Sequence, residues 1–250
     1  MRTALYRIHY GFEFIYDSIY SVYDWADRIV VVYSMEPWYK EPTIQFQGEE
    51  ITIEHPENMS LHLKALSQIP KVELFCKEFD GPVNQWGTLV NEYSDDFVLT
   101  VECDHVFPKP EQLFEVEKEL EDFVVFTNHC EYWKNKFWRV APRPHRPGPV
   151  LLRNPVNIKT LHSNVPGGDR SGTPQQYSST VEVDNYGFCY RTEVMFYKHI
   201  LCCGFSERIK DSIPDPDWFD KWLNWTPETI DLEISKNYTA SIKRAYLVKD

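Results

Sequence analysis

With 250 residues, 42% of them hydrophobic and 15% aromatic, the chain is long enough for one sizeable core and short for two. A net charge of -12 at pH 7 argues against a nucleic-acid backbone or an anionic membrane as the main partner, while leaving room for a local basic pocket around a phosphate. No run approaches the roughly 20 apolar residues of a transmembrane segment. Met1 to Arg7 lacks the apolar centre of a signal peptide, so a cytoplasmic protein is expected. Cysteines at 76, 103, 130, 189, 202 and 203 contain no CxxC pair, which speaks against a zinc knuckle and for reduced thiols. Glycosylation sequons beginning at Asn58, Asn224 and Asn237 read as chance without a secretory signal.

In chain order, Leu5 to His9 predicts a strand, and Ile15, Ile19, Val22, Tyr23 and Ala26 recur at helical spacing. Arg28 to Ser34 is a near-continuous apolar run, as buried parallel strands are. Residues 35–57, broken by Pro37, Pro42 and Pro56, predict irregular chain. Ser60 suits the cap of a helix carrying Leu63, Leu66 and Ile69. Val72 to Phe79 predicts a strand, residues 83–94 a helix, and Phe97 to Val101 a fourth strand. Pro108 and Pro110 suit the first turn of a helix with Leu113, Val116, Leu120 and Phe123 on its stripe, and Phe123 to Thr127 a further strand. This βα alternation predicts an α/β fold with a mostly parallel sheet flanked by helices.

Residues 141–175 hold seven prolines with Gly167, Gly168 and Gly172, and read as a long loop, either a lid on the acceptor side or a disordered segment. Val181 to Val183 predicts a strand, Thr192 a helix start, and Pro214 to Asp217 the opening of a short helix with Trp218, Phe219, Trp222 and Leu223. With no internal repeat, residues 1–250 read as a single domain.

Glu102-Cys103-Asp104 is the stretch that carries chemistry. If the strand that precedes it continues, residues two apart point to one side and both carboxylates project together. Adjacent negative charges there need a partner, and a divalent cation with oxygen ligands, Mn²⁺ or Mg²⁺, is the natural one. Open α/β sheets bind ligands beyond the carboxyl ends of their strands. The expectation is that Glu102 and Asp104 hold the ion against a nucleoside diphosphate.

Two stretches carry a resemblance to the GT-A glycosyltransferases. Asp24-Trp25-Ala26-Asp27-Arg28-Ile29-Val30-Val31-Val32-Tyr33-Ser34 is similar to their WADEIVVVDS segment. Val98-Leu99-Thr100-Val101-Glu102-Cys103-Asp104-His105-Val106-Phe107 is similar to their VLxLDADEVF segment, which holds the DXD motif. A less specific likeness, Tyr186-Gly187-Phe188, Arg191, Glu193 to Met195, Lys198 and Asp217 to Trp225, resembles the tail of bacterial and phage-encoded members. The resemblance spans about residues 4–126 and, loosely, 181–228. It implies a single GT-A domain with the nucleotide-sugar part at 1–126 and the acceptor part at 127–250. It implies a hexosyltransferase that takes a nucleotide-sugar donor, UDP- or GDP-linked, and passes the sugar to a glycan or other hydroxyl acceptor. The chain departs from the pattern where Glu102 replaces the first Asp, where Tyr33 replaces a uracil-contacting Asp, and where Gly11-Phe12 replaces an Asn-Glu pair.

Asp104 is the foremost metal ligand candidate, with an N-cap or turn role as its structural alternative. Glu102 is either a ligand or the partner of a nearby Arg or Lys, and His105 reads as a packed histidine. The third ligand implied by the resemblance falls on Asn185, with His162 and His199 as alternatives. His9, Tyr10, Ser34 and Glu36 are candidates for base recognition, Asn84 and Gln85 for phosphate or ribose, and Arg191 and Lys198 for the diphosphate. An inverting reaction needs a general base, for which Glu131, Asp169, Asp184 and Asp217 are all available. Trp133, Trp138, Trp218, Trp222 and Trp225 are either sugar platforms or packing. A sugar nucleotidylyltransferase would want a Gly-rich, basic loop after the first strand, which His9-Tyr10-Gly11-Phe12 is not. A non-catalytic carbohydrate-binding or assembly protein stays open.

Overall fold

The computed structural model describes residues 1–37, 42–78, 85–141, 148–156, 158, 160–162, 165–167, 177–206, 218–226 and 244–247. The elements in order are β1 (Arg2–Ile8), α1 (Phe12–Val22), β2 (Arg28–Tyr33), β3 (Thr43–Phe46), β4 (Glu49–Thr52), α2 (Met59–Leu66) and β5 (Val72–Cys76). They continue with α3 (Gln85–Glu92), β6 (Phe97–Val101), β7 (His105–Val106), α4 (Glu111–Glu119), β8 (Phe123–Trp133), β9 (Asn135–Ala141) and β10 (Val150–Arg153). The last are β11 (Thr160–His162), β12 (Val165–Gly167), β13 (Tyr177–Phe188), α5 (Thr192–Ser206), α6 (Trp218–Asn224) and β14 (Arg244–Leu247). No helix among the described residues is long and apolar enough to cross a membrane.

The chain divides into two compact units, the first made of Met1–Trp38, Met59–His129 and His145–Asn185, the second of Tyr39–Asn58, Cys130–Pro144 and Tyr186–Asp250. In the first unit β5, β2, β1 and β6 lie side by side and parallel. β10 then joins β6 and β8 antiparallel to both. The sheet is therefore mixed, with its parallel half built from the strands the apolar runs predict.

Burial explains why those runs read so clearly. Successive strand residues face opposite sides. Ala4, Tyr6 and Ile8 of β1, Ile29 and Val31 of β2, and Leu99 and Val101 of β6 join one core with Phe12, Ile15, Ile19 and Val22 of α1 and Leu113 of α4. Leu5, Val30, Val32 and Val98 join the other with Trp86, Leu89 and Val90 of α3. Both faces are covered, so no polar alternation survives in the sequence. Gly11, at φ 89, makes the left-handed step from β1 into α1 that a residue with a Cβ takes at a cost.

Glu117 ties α4 to β1 and to the connection between α1 and β2. Arg2 reaches it with both arms, Nε at 2.7 Å and Nη2 at 3.0 Å, and the Trp25 indole donates to the same carboxylate at 3.0 Å.

Two expectations change here. Residues 35–57 are not irregular throughout, because β3 and β4 pair as an antiparallel hairpin around Gln47-Gly48. The 141–175 stretch is not all loop, because Val150-Leu151-Leu152 lies fully buried as β10 at the centre of the first unit. Pro149 and Pro155 bracket that strand and disguise it. Thr192 opens α5 as expected, and Ser60 falls one residue inside α2.

In the second unit β9 pairs with the end of β8 and with β14. Its aromatics pack on one another: Trp133 against Phe188 at 5.0 Å between ring centroids, Trp138 edge-on to Trp225 at 5.4 Å, and Phe219 stacked on Trp222 at 5.9 Å. The Trp222 indole donates to the Phe188 carbonyl at 2.8 Å. His199 of α5 stacks on Phe219, and burial pushes its pKa below the ordinary value, partly offset by Asp220.

Two outcomes are expected. Glu117→Ala leaves the Arg2 guanidinium and the Trp25 N–H without their acceptor, and should cost about 2 kcal/mol in a urea titration. His199 binds its proton more weakly folded than unfolded, so its contribution is fully favourable above the unfolded pKa of about 6.5 and is lost as pH falls through the folded value. The urea midpoint should therefore begin to drop as pH falls below about 6.5, and less steeply in a folded His199→Gln variant.

Candidate functional site

The carboxyl ends of β1, β2 and β6 meet at one edge of the first unit. Beyond β1, His9 is buried and its Nδ1 lies 3.0 Å from the Ser34 carbonyl oxygen. Beyond β2, the Ser34 N–H donates to Ile8 O at 3.1 Å and its hydroxyl to Glu36 O at 2.6 Å. His9, Ser34 and Glu36 are thus brought together by the parallel register of β1 and β2, which runs to Ile8 opposite Tyr33. Burial, with Cys76 alongside, pushes the Tyr33 hydroxyl's pKa up. A neutral phenol thus stands at the carboxyl end of β2.

Beyond β6 the chain does something the alternation rule does not anticipate. The strand ends at Val101, and Glu102 to Asp104 form a turn closed by the His105 N–H donating to Glu102 O at 3.0 Å. The two carboxylates do not project as a pair. Glu102 Oε1 accepts from Arg7 Nη2 at 3.1 Å, and the Arg7 guanidinium lies over the Trp86 ring, 4.8 Å from its centroid. Tyr6 pairs with Val101 in the β1–β6 register, so Arg7 and Glu102 are the next residues along. Asp104 turns instead to His105, its Oδ1 3.9 Å from His105 Nε2. Cys103 between them donates to Tyr10 O at 3.5 Å and pins the turn to the end of β1.

His105 is the hub of the Asp104 side. The β7–β13 register sets it opposite Asn185, and Val106 opposite Asp184. The Asn185 side-chain amide lies 3.3 Å from His105 Nε2. The His129 ring stands edge-on to His105, 5.3 Å between centroids, and both are buried. Gly148 makes that possible, because a Cβ built on it would lie 1.6 Å from His129 Nε2. Asp104, His105 and Asn185 thus offer one carboxylate, one imidazole and one amide over a short span, a donor set that suits a divalent cation.

The other expected residues fall elsewhere. Arg191 donates to Pro56 O, and Lys198 to Gly187 O at 2.6 Å, both inside the second unit. Glu131 is buried in that same unit. His199 packs there on Phe219. Of the base candidates, Asp184 lies in the first unit with Asp104. Asn84, Asp169 and Asp217, and the side chains of Gln85, His162 and Trp218, lie outside the described residues. His105 is packed, as the sequence reading has it, while Arg7 and His129 are the residues that reading missed. Arg7 carried a signal, since a cation inside the apolar strand Tyr6-Arg7-Ile8 needs an anion nearby.

No family model and no curated protein matches the chain. Among solved structures it is similar to S. aureus TarS in complex with UDP-GlcNAc, at 12% identity and TM-score 0.44, covering 85% of this chain and 74% of that one. It is similar to the mannosyltransferase PcManGT from Pyrobaculum calidifontis in complex with GDP-Man and Mn²⁺, at 12% identity and TM-score 0.43, covering 86% and 66%. It is also similar to HddC from Yersinia pseudotuberculosis, at 10% identity and TM-score 0.42, covering 75% and 94%.

The packing of His129 against Gly148 has a direct test. Gly148→Ala should destabilise the protein by about 2 kcal/mol through overpacking. Most of that loss should vanish when His129→Ala is made alongside it, a non-additivity read from a double-mutant cycle in urea.

Proposed function

We propose that the chain is a metal-dependent glycosyltransferase that moves a sugar from a nucleoside-diphosphate donor, UDP-linked in preference to GDP-linked, to a hydroxyl of a glycan or another acceptor. The observation that carries this reading is the placement of Asp104 beyond the carboxyl end of β6, in the unit that also sets His9, Ser34 and Glu36 beyond β1 and β2. Open α/β sheets bind ligands there.

Asp104 is the principal ligand of the cation, and Asn185 the next. The cation, when bound, supplies positive charge where the leaving diphosphate builds negative charge. Arg7 holds Glu102 in place, so that carboxylate borders the site as a partnered charge. His9, Ser34 and Glu36 border the nucleotide, and Tyr33 offers it a hydroxyl. Asn84 remains a proposed phosphate contact, and Asp184, in the same unit as Asp104, is the preferred general base.

One observation favours a second reading. Glu102 is already paired with Arg7. That pairing suits a non-catalytic carbohydrate-binding protein as well as an enzyme. Melting curves with UDP, GDP, CMP and their sugar conjugates, with and without Mn²⁺, separate the two. A uridine or guanosine diphosphate should stabilise the protein only when metal is present, by about 2.7 kcal/mol at a hundredfold excess over Kd. Asp104→Ala should abolish the shift. A shift that survives both EDTA and Asp104→Ala overturns the assignment, and glycan binding indifferent to EDTA establishes the binding protein.

A further inference from the structure

We propose that His105 supplies a nitrogen ligand to the cation site and thereby selects a transition-metal ion such as Mn²⁺ over Mg²⁺. The inference rests on the site proposed above and deepens it, since Asp104 and Asn185 alone do not distinguish the two ions. Three features of the first unit carry it.

The first is spacing. His105 Nε2 lies 3.9 Å from Asp104 Oδ1 and 3.3 Å from the Asn185 side-chain amide. Donors about 2.1 Å from one ion stand about 3 Å apart at a right angle and about 4.2 Å apart in line. Both separations fall inside that interval. The Asp104 separation is too long for a hydrogen bond, so the two side chains face each other without closing on each other. A half-turn of the Asn185 amide presents its oxygen in place of its nitrogen.

The second is rigidity. The His105 backbone is fixed by its N–H bond to Glu102 O and by its place opposite Asn185. Its ring is backed by His129, for which Gly148 leaves room. An imidazole held on two sides keeps its ring nitrogen where it is, the locking by packing that a ligand to an ion needs.

The third is donor chemistry. Carboxylate and carbonyl oxygens suit Mg²⁺, Ca²⁺ and Mn²⁺ alike, and of the three it is Mn²⁺, the transition ion, that accepts an imidazole most readily. Mg²⁺ demands near-ideal octahedral oxygen geometry and keeps several waters. Replacing one oxygen donor by Nε2 therefore costs Mg²⁺ more than Mn²⁺.

The test is pulsed EPR of the full chain loaded with Mn²⁺ and UDP. Wild type should show a nitrogen hyperfine coupling at the metal. Its pattern should change when the protein is grown on ¹⁵N-labelled histidine, which needs no variant. The coupling should be lost in His105→Gln and kept in His9→Gln. Competition titrations should show the Mn²⁺-over-Mg²⁺ preference falling about tenfold or more in His105→Gln; if that variant does not fold, His105→Asn replaces it. Mn²⁺ binding that depends on Asp104 but shows no histidine nitrogen overturns this inference and leaves the proposed function standing. So does a coupling that persists in folded His105→Gln. Absence of Mn²⁺ binding altogether removes both.

Discussion

One hydrogen bond, from the His105 N–H to the Glu102 carbonyl, decides how charge is distributed at the edge of the sheet. It ends β6 and reverses the chain before the alternation of an extended strand can carry both acids to one side. Glu102 is left on the face covered by α3, where Arg7 is the next residue along the neighbouring strand. Asp104 is delivered to the other partner set, His105 and Asn185. An arginine in a half-buried strand without a carboxylate would be an uncompensated charge, and removing one member of such a pair is far more costly than never having built it. The turn therefore serves the fold and the site at once.

The same physics marks what the sequence makes legible. β1, β2, β5 and β6 are visible because both faces of the parallel half are covered, so burial writes itself as unbroken apolar runs. α1 and α4 are visible because each buries one stripe. β10 is hidden because its buried residues, Val150 to Leu152, are short and bracketed by prolines that signal loop. The β3–β4 hairpin is hidden because β4 is exposed throughout and offers no apolar alternation. The geometry of the acidic motif is not legible: nothing in Glu102-Cys103-Asp104 announces that a backbone bond will close a turn across it. Arg7 signals that it needs an anion but not which one, because Glu102 lies far away in sequence and meets it through the β1–β6 register, and nothing in the sequence around His129 names its neighbours.

The aromatic content had two readings, sugar platforms or packing, and the described residues of the second unit show the second at work. Trp133, Trp138, Trp222 and Trp225 each lie against another aromatic ring. Aromatics bring large buried area per residue, which suits a unit assembled from three separated stretches of chain. Arg191 and Lys198 are drawn into the same work, each donating to a backbone carbonyl of that unit. A lysine or arginine can shield a carbonyl and still present charge, so these contacts describe their place without deciding their partner.

Charge count connects the site to the order of binding under the proposed function. Glu102 is offset by Arg7, while among the described residues no lysine or arginine pairs with Asp104. The set around His105 thus brings one negative charge and two neutral donors to a divalent ion. Fewer charged ligands mean a weaker hold on the bare cation. A nucleoside diphosphate brings the missing negative charge and oxygen ligands with it, as phosphates do wherever a protein offers only one or two carboxylates. Such a site is nearly empty of metal without nucleotide and weak for nucleotide without metal, so each ligand raises the affinity for the other by the same factor. The turn at Glu102 keeps that dependence under the proposed function, because it sends the second acid to Arg7 and leaves Asp104 as the one carboxylate beside His105.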